Sequence, residues 1–322
     1  MSLDKNLELT VRGTEEIVTE EELRELFKGG DVRVYCGYEP SGNIHFGHAL
    51  TAWKLMDFQE VGADVTVLFA DLHAFLNSKG SLEKVRKIAD FNKECLIALG
   101  LNTRKTKFVL GSDFQLKPEF YMDVLKLSVG TTIARARRSM AMIARNLEDP
   151  DVAQVLYPIM QAVDIVHLGV NVAVGGIDQR KVHMIAREKV SLLNYNKPVC
   201  IHTPLLHGLD GQDKMSSSKY NFIALDDTPE KVKDKISKAY CPAKTIENNP
   251  VMECAAQIII PRLGTLRVER PEKYGGNIEI ISTKELEEMY VSGKLHPADL
   301  KAATTSGLIE ILAPVTERLG KN

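Results

Sequence analysis

Along the first two hundred residues, short apolar runs alternate with longer amphipathic stretches. Residues 32–36 have the pattern of a strand, closed by Gly37 and the turn Pro40-Ser41-Gly42. Residues 64–70 form a near-continuous apolar run, as a parallel strand buried on both faces requires. Further strands are predicted at 107–110, 171–174 and 199–203. Helices are predicted over about 47–61, over 81–99 with Gly100 behind, and over 179–191. Thr19 ahead of Glu20, Glu21 and Glu22 marks a capped helix start, ending near Gly29-Gly30. Such alternation predicts an α/β fold, a Rossmann-like doubly wound parallel sheet with ligands at the carboxyl ends of its strands.

Two stretches depart from that rhythm. Residues 118–168 carry a helical pattern without a strand, which predicts a helical insertion over about 114–168 between the halves of the sheet. After Lys219 the pattern becomes mainly helical: 228–239, 250–260, 283–292, 297–305 and 308–319, with a strand pair near 266–269 and 278–282. The expected organisation is a Rossmann-like α/β domain over 1–225 and a mainly α-helical domain over 226–322.

Composition narrows the classes. The 322 residues are enough for two cored domains, and 44% hydrophobic with 26% charged residues is ordinary globular usage. No apolar run approaches the roughly 18–20 residues that span a bilayer, and the start has no apolar segment, so the expectation is a cytoplasmic protein without a membrane partner. Five cysteines without a C-x-x-C argue for reduced thiols, against a disulfide framework and against a structural metal. The formal net charge of −2 leaves no global nucleic-acid footprint, so RNA contacts would come from local patches. Arg135-Ala136-Arg137-Arg138 and Arg180-Lys181 are such patches, although charge runs are usually solvated faces.

Candidate chemistry begins at His45-Phe46-Gly47-His48, where a strand, a Pro-Ser-Gly turn and a helix start follow one another. A helix amino end offers N–H groups and a partial positive charge to a triphosphate. Gly47 permits close approach of a base or ribose, and His45 and His48 share a face from which to donate to phosphate oxygens. Alone, the motif reads equally well as two ordinary histidines beside a turn. Far downstream, the turn Asp210-Gly211-Gln212-Asp213 exposes Lys214-Met215-Ser216-Ser217-Ser218, a compact cation and hydroxyl donors suited to leaving pyrophosphate. No G-x-x-x-x-G-K-[ST] or G-x-G-x-x-G is present, which sets aside P-loop ATPases and dinucleotide dehydrogenases. Asp178, in Gly175-Gly176-Ile177-Asp178-Gln179, suits a helix N-cap as well as a ribose. Tyr157, Gln161 and Asp164 fall at i, i+4 and i+7 among apolar neighbours, a polar stripe on a buried helix. It is either a ligand site or a structural hydrogen-bond network.

The two motifs in this order resemble those of class I aminoacyl-tRNA synthetases, and the residues between them are similar to the tyrosyl-tRNA synthetases of the archaeal and eukaryotic kind. The resemblance runs from Tyr35 to about Leu319 and implies tyrosine–tRNA ligation: ATP activates L-tyrosine to the adenylate, releasing pyrophosphate, and tRNA(Tyr) takes the tyrosyl group. It implies that His45, His48 and Lys214 are catalytic. ATP would be bound by Gly37, Glu39, Gly47, Asp178, Met215, Ser216, Ser217 and Ser218, with Mg2+ accompanying it. Tyr35 and Asp164 would hold the substrate phenol; Tyr157, Gln161 and Gln179 would hold its ammonium group. Ala70 and His73 would form pocket wall, His73 being equally acceptable as a core histidine. Arg138, Arg180 and Lys181 would meet the tRNA acceptor end, and Tyr274, His296 and Asp299 the anticodon, where an aromatic plus polar groups suits an unstacked base. The family is homodimeric through the insertion, whose apolar residues fit that role.

Phe46 stands where isoleucine is usual, and Ser217 where the commoner form has lysine, leaving Lys214 as the loop's cation before Lys219. Three rivals remain. A tryptophanyl-tRNA synthetase lacks a reason to pair Tyr35 with Asp164. A small-metabolite adenylyltransferase needs no helical C-terminal domain. A non-catalytic RNA-binding relative would have lost one of the ATP motifs.

Overall fold

The computed structural model describes residues 2–140, 151–217 and 219–320. Packing divides the chain into two units, one of Met1–Ser41 with Leu50–Pro204, the other of Gly42–Ala49 with Leu205–Asn322. The hydrophobic pattern changes near residue 225, but the contacts part at Pro204 and draw eight residues around the first histidine motif into the second unit.

The first unit is built on a six-stranded sheet: β1 (Glu16–Val18), β2 (Arg33–Tyr38), β3 (Asp64–Phe69), β4 (Thr106–Leu110), β5 (Val172–Gly176) and β6 (Val199–Thr203). Their order is β1-β6-β5-β2-β3-β4, parallel throughout except for β1 against β6. From β2 the chain steps outward to β3 and β4, then crosses to the other side of β2 for β5 and β6. The topological switch point, where ligands of doubly wound sheets bind, therefore lies between the carboxyl ends of β2 and β5. Those ends carry Glu39 on one side and Asp178 and Gln179 on the other. The β3 run is buried as its composition demands, with Val65, Val67, Leu68 and Phe69 all inaccessible. Strand β1 has only three half-buried residues, too few for periodicity to reveal, and it is ordered by its pairing to β6.

Between β4 and β5 lie helices Pro118–Val129, Ile133–Met140 and Val152–His167. The last starts at a capping box in which Asp151 and Gln154 satisfy each other's backbone N–H. Its inner face, Ile159, Ala162, Val163 and Ile165, shares one core with Phe120, Val124 and Leu127 and with Tyr35 and Ala173 of the sheet. Thus the polar stripe is carried by a helix whose inner apolar face is locked in the core.

The second unit is mainly helical, with Pro229–Lys238, Pro250–Cys254, Thr283–Val291 and Pro297–Arg318, and an antiparallel pair β7 (Leu266–Val268) and β8 (Ile278–Ile280). Pro250–Cys254 widens into a π turn at Ala255–Ile259 before Ile260–Leu263. Pro261 has no N–H to offer, so the widening just ahead of it has a local cause. One expectation is corrected: the two helices at 297–305 and 308–319 are a single helix that runs through Ser306 and Gly307. A Cβ on Gly307 would stand 2.8 Å from Ile259, so this glycine is a notch for the π turn and not a break. Among the described residues, no helix is long and apolar enough to cross a membrane.

Candidate active site

Tyr35 sits on β2, in register with Thr66 of β3 and Ala173 of β5, and is fully buried. Burial, then the nearby Asp164, hold its phenol well above the usual tyrosine range. Asp164 is equally buried. Its Oδ1 accepts from Gln115 Nε2 at 2.6 Å, while its Oδ2 has no partner. Burial pushes this carboxyl up to about 8, with the Gln115 bond working against it. His73 is pushed down to about 4 by burial, so at pH 7 its ring is neutral. Its Nδ1 faces Gln115 Nε2 at 3.3 Å, which places the ring proton on Nε2. That Nε2 lies 3.7 Å from Asp164 Oδ2, too long for a hydrogen bond, and the two neutral groups form no ion pair.

Two buried polar atoms, Asp164 Oδ2 and His73 Nε2, therefore face each other unpaired, while Gln115 Oε1, also unpaired, lies on the other side of its amide beside Gly111. Each such atom costs roughly 1–3 kcal/mol, which a ligand hydroxyl able both to donate and to accept would recover. Ala70 lies in the same core as Tyr35. Gln115 was not singled out from the sequence. It sits on the four-residue helix Ser112–Gln115, where no pattern marks it, and its partner Asp164 is 49 residues away.

A second polar group gathers around Tyr157. Its hydroxyl donates to Glu39 Oε2 at 3.2 Å, and Asn77 Nδ2 donates to the same oxygen at 2.8 Å. Its ring meets His73 edge-on with centroids 4.5 Å apart. Gln161 Nε2 donates to Gln179 Oε1 at 3.3 Å. Glu39, Gln161 and Gln179 thus supply carboxylate and amide oxygens of the kind that accept from an ammonium group. Gly37 is the exposed residue of β2, one position before the strand ends at Tyr38 and two before Glu39. Asp178 lies in the turn Ile177–Gln179; the helix Arg180–Lys189 takes Gln179 as its N-cap, without a side-chain capping bond.

The histidine motif is shaped within the second unit. Phe46 N–H donates to Ile223 O at 3.2 Å and Leu225 N–H to Ile44 O at 3.0 Å, clipping the helix start to residues 223–225. Asn43 donates to Asp226 at 3.0 Å, and Phe222 lies 5.4 Å from the His45 ring. The expectation that backbone N–H groups of this helix end are open to a triphosphate is corrected. His45 N–H donates to His48 Nδ1 at 3.2 Å, Gly47 N–H to His45 Nδ1 at 3.1 Å, and His48 N–H to His45 O at 2.8 Å. With each Nδ1 acting as acceptor, both imidazoles carry their proton on Nε2. The donors of this motif are ring N–H groups of fixed tautomer. The space beside Gly47 is taken by the His45 ring, since a Cβ there would stand 2.9 Å from Cε1.

Lys214 belongs to a hairpin-like loop. Met215 N–H donates to Leu206 O at 2.7 Å, Gly208 N–H to Asp213 O at 2.7 Å, and His207 pairs across to Lys214. Asn221 fastens the far side, taking Ser216 N–H on Oδ1 at 3.0 Å and Leu209 N–H on its carbonyl at 2.9 Å. Lys219 pairs with Asp213. A Cβ on Gly42 would stand 3.1 Å from Ser217 Oγ, so the second motif touches the turn that leads into the first. Burial, then His48, then the Lys214 ammonium hold His45 well below the usual imidazole range, so the two motifs share one electrostatic environment. Ser218 lies outside the described residues.

Of the basic residues, Arg138 is exposed on Ile133–Met140 and Lys181 on Arg180–Lys189. Arg180 Nε donates to both oxygens of Glu16, at 2.9 and 2.7 Å. Tyr274 is exposed at the end of a short turn, His296 caps Pro297–Arg318 by accepting Ala298 N–H on Nδ1 at 3.1 Å, and Asp299 stands in the first turn. Arg270 links them: it donates to Gly276 O and Lys294 O, both at 2.9 Å, and lies 3.9 Å from Asp299.

Comparisons with known proteins add the following. The model of the class I tRNA synthetase family (W and Y) matches residues 28–313. A tyrosine–tRNA ligase of Methanopyrus kandleri is 52% identical over 316 residues, 98% of either chain. The crystal structure of tyrosyl-tRNA synthetase complexed with L-tyrosine from Archaeoglobus fulgidus matches with a TM-score of 0.94 at 53% identity, over 99% of this chain and 100% of that one. That from Pyrococcus horikoshii, also complexed with L-tyrosine, matches with a TM-score of 0.92 at 34% identity, over 100% and 97%.

Proposed function

The chain belongs to the class I tRNA synthetases (W and Y), and from that premise we infer that it is a tyrosine–tRNA ligase. It activates L-tyrosine with ATP to tyrosyl-adenylate and pyrophosphate, then transfers the tyrosyl group to the 3′ end of tRNA(Tyr). The observation that carries this reading is the convergence of unpaired Asp164 Oδ2 and His73 Nε2 in the buried surroundings of the Tyr35 phenol. A phenol hydroxyl satisfies such a site. An indole N–H only donates, and a phenyl ring does neither, so tryptophan and phenylalanine would leave buried polar atoms unpaired.

No side chain need be a nucleophile. The tyrosine carboxylate attacks the α-phosphate and pyrophosphate leaves, so catalysis is positioning plus stabilisation of charge on the leaving group. Tyr157, Gln161 and Gln179 orient the ammonium group, with Glu39 oriented by Tyr157 and Asn77 beside them. Asp178 takes the ribose. His45 and His48 give Nε2–H donors whose tautomer the backbone fixes, and Lys214 gives a full charge. Met215, Ser216, Ser217 and Ser218 form the rest of the nucleotide loop. Mg2+ enters with ATP. The nearby carboxylates are already engaged, Asp226 by Asn43 and Asp227 by Ala224 N–H and Lys235, so phosphate oxygens and water would hold that ion.

Arg138, Arg180 and Lys181 meet the acceptor end of tRNA(Tyr), and Tyr274, His296 and Asp299 the anticodon, within the 226–322 domain of the sequence-based division. The protein works in the cytoplasm as a homodimer, through the exposed face of Pro118–Val129.

Amino-acid-dependent ATP–pyrophosphate exchange, run with tyrosine, tryptophan and phenylalanine, tests the reading. Exchange with tyrosine alone is expected. Exchange with tryptophan would overturn the pocket and keep the fold, whereas none at all would overturn the assignment of both ATP motifs.

A further inference from the structure

The loop that carries Lys214 is anchored by a contact that the reaction, as described, does not use. His207 stands directly across from Lys214 in the hairpin-like base. Two of its polar groups go to one carboxylate: its backbone N–H donates to Glu253 Oε2 at 2.7 Å, and its Nδ1 meets Glu253 Oε1 at 2.6 Å. Glu253 is on Pro250–Cys254, whose remaining side chains are buried and whose N-cap, Asn249, is fully enclosed. The helix is thus a rigid post, and the clamp on it has two points.

One point would hold the chain in place and still let the loop base pivot about that bond. A second point on the same residue removes the pivot. The hairpin then transmits the fixed orientation to Lys214, because Leu206 and Met215 on one side of the pair, and Gly208 and Asp213 on the other, are bonded at 2.7 Å each. The far end of the loop is fastened separately by Asn221. The His207 side chain is about a third exposed (34%), so its loss opens no core cavity.

We propose that His207 and Glu253 are positioning residues for Lys214, fixing the base of the nucleotide loop so that its ammonium meets the departing pyrophosphate. This rests on Lys214 serving the nucleotide step. Removing the clamp leaves tyrosine binding untouched and slows adenylate formation, since a misdirected cation forfeits its interaction in the transition state without loosening the amino-acid pocket.

The test is a double-mutant cycle on tyrosine-dependent ATP–pyrophosphate exchange. His207→Ala is expected to lower kcat about 10-fold, the scale of one lost charge-assisted hydrogen bond, with the KM for tyrosine within about 2-fold of wild type. His207→Asn, which keeps an N–H near the Nδ1 position, is expected to restore most of that loss. In a Lys214→Ala background, adding His207→Ala should change kcat by less than about 2-fold, because the group being positioned is gone. Losses that multiply instead, or a tyrosine KM that moves as far as kcat, would show a merely structural contact and overturn the proposal. Lys214→Ala by itself separates the premise: wild-type exchange in that variant would overturn the nucleotide role of the loop, and the clamp with it.

Discussion

Asp164 shows how far one residue's chemistry depends on what surrounds it. An unfolded aspartate titrates near 3.9, whereas burial pushes this one up to about 8. Below about pH 4 both states hold the proton, and the contribution to stability is full. As pH rises through 8 it is lost, because the unfolded state releases a proton that the folded state retains. His73, pushed down to about 4, and His183, pushed down to about 3, act in the opposite sense below about pH 6.5. The window in which Asp164 acts without them is about pH 6.5 to 8. Ligand-free wild-type protein should lose melting temperature across that window, at most about 1.4 kcal/mol per pH unit, and Asp164→Asn should not. Parallel curves for the two proteins would acquit Asp164. At this scale the i, i+4, i+7 stripe of Tyr157, Gln161 and Asp164 was legible, because helical spacing is local. Gln115 was not, because nothing near it in sequence reports a partner on another helix.

At the scale of elements, the histidine motif owes its geometry to a glycine. Gly47→Ala would drive a Cβ to 2.9 Å from His45 Cε1, forcing the ring off Gly47 N–H and freeing the tautomer that the bond selects. Exchange is expected to fall by about 10- to 100-fold, equivalent to about 1.4–2.7 kcal/mol of lost transition-state stabilisation, while the KM for tyrosine stays near its wild-type value. A variant with unaltered kcat would mean that the ring's placement does not matter. The same kind of close approach explains the last helix. Ser306-Gly307 looked like a break from sequence, since glycine is a poor helix former. Packing of Ile259 against Gly307 outweighs that penalty and keeps Pro297–Arg318 whole.

For the molecule as a whole, the exposed apolar side chains Tyr121, Met122, Leu125 and Val129 crowd one helix of the insertion. Such a patch favours burial against a second copy. Leu125→Asp is therefore expected to shift the sedimentation of the protein from dimer to monomer at micromolar concentration, and a wild-type chain that sediments as a monomer would remove the idea. The division into two units also belongs to this scale. The pattern changes near residue 225, yet the residues that pack together part at Pro204 and include Gly42–Ala49, because the histidine motif pairs with residues 222–226, far from it along the chain.

The sequence by itself determined the strands β2 to β6, the helical insertion, the mainly helical second half and the two motifs at 45–48 and 214–218. Each of these rests on local periodicity, turn chemistry or residue identity, all written within a few neighbouring positions. Tertiary structure decided which groups are available for chemistry. It spent the backbone N–H groups of the histidine motif on its own rings, fixed both imidazole tautomers, left Asp164 Oδ2 unpaired, and made Gly307 a contact in place of a break. It also created β1 and set His207 across from Lys214 on a carboxylate 46 residues away. These outcomes depend on pairs of residues distant in the chain, and their burial and hydrogen bonding exist only once the chain has closed on itself.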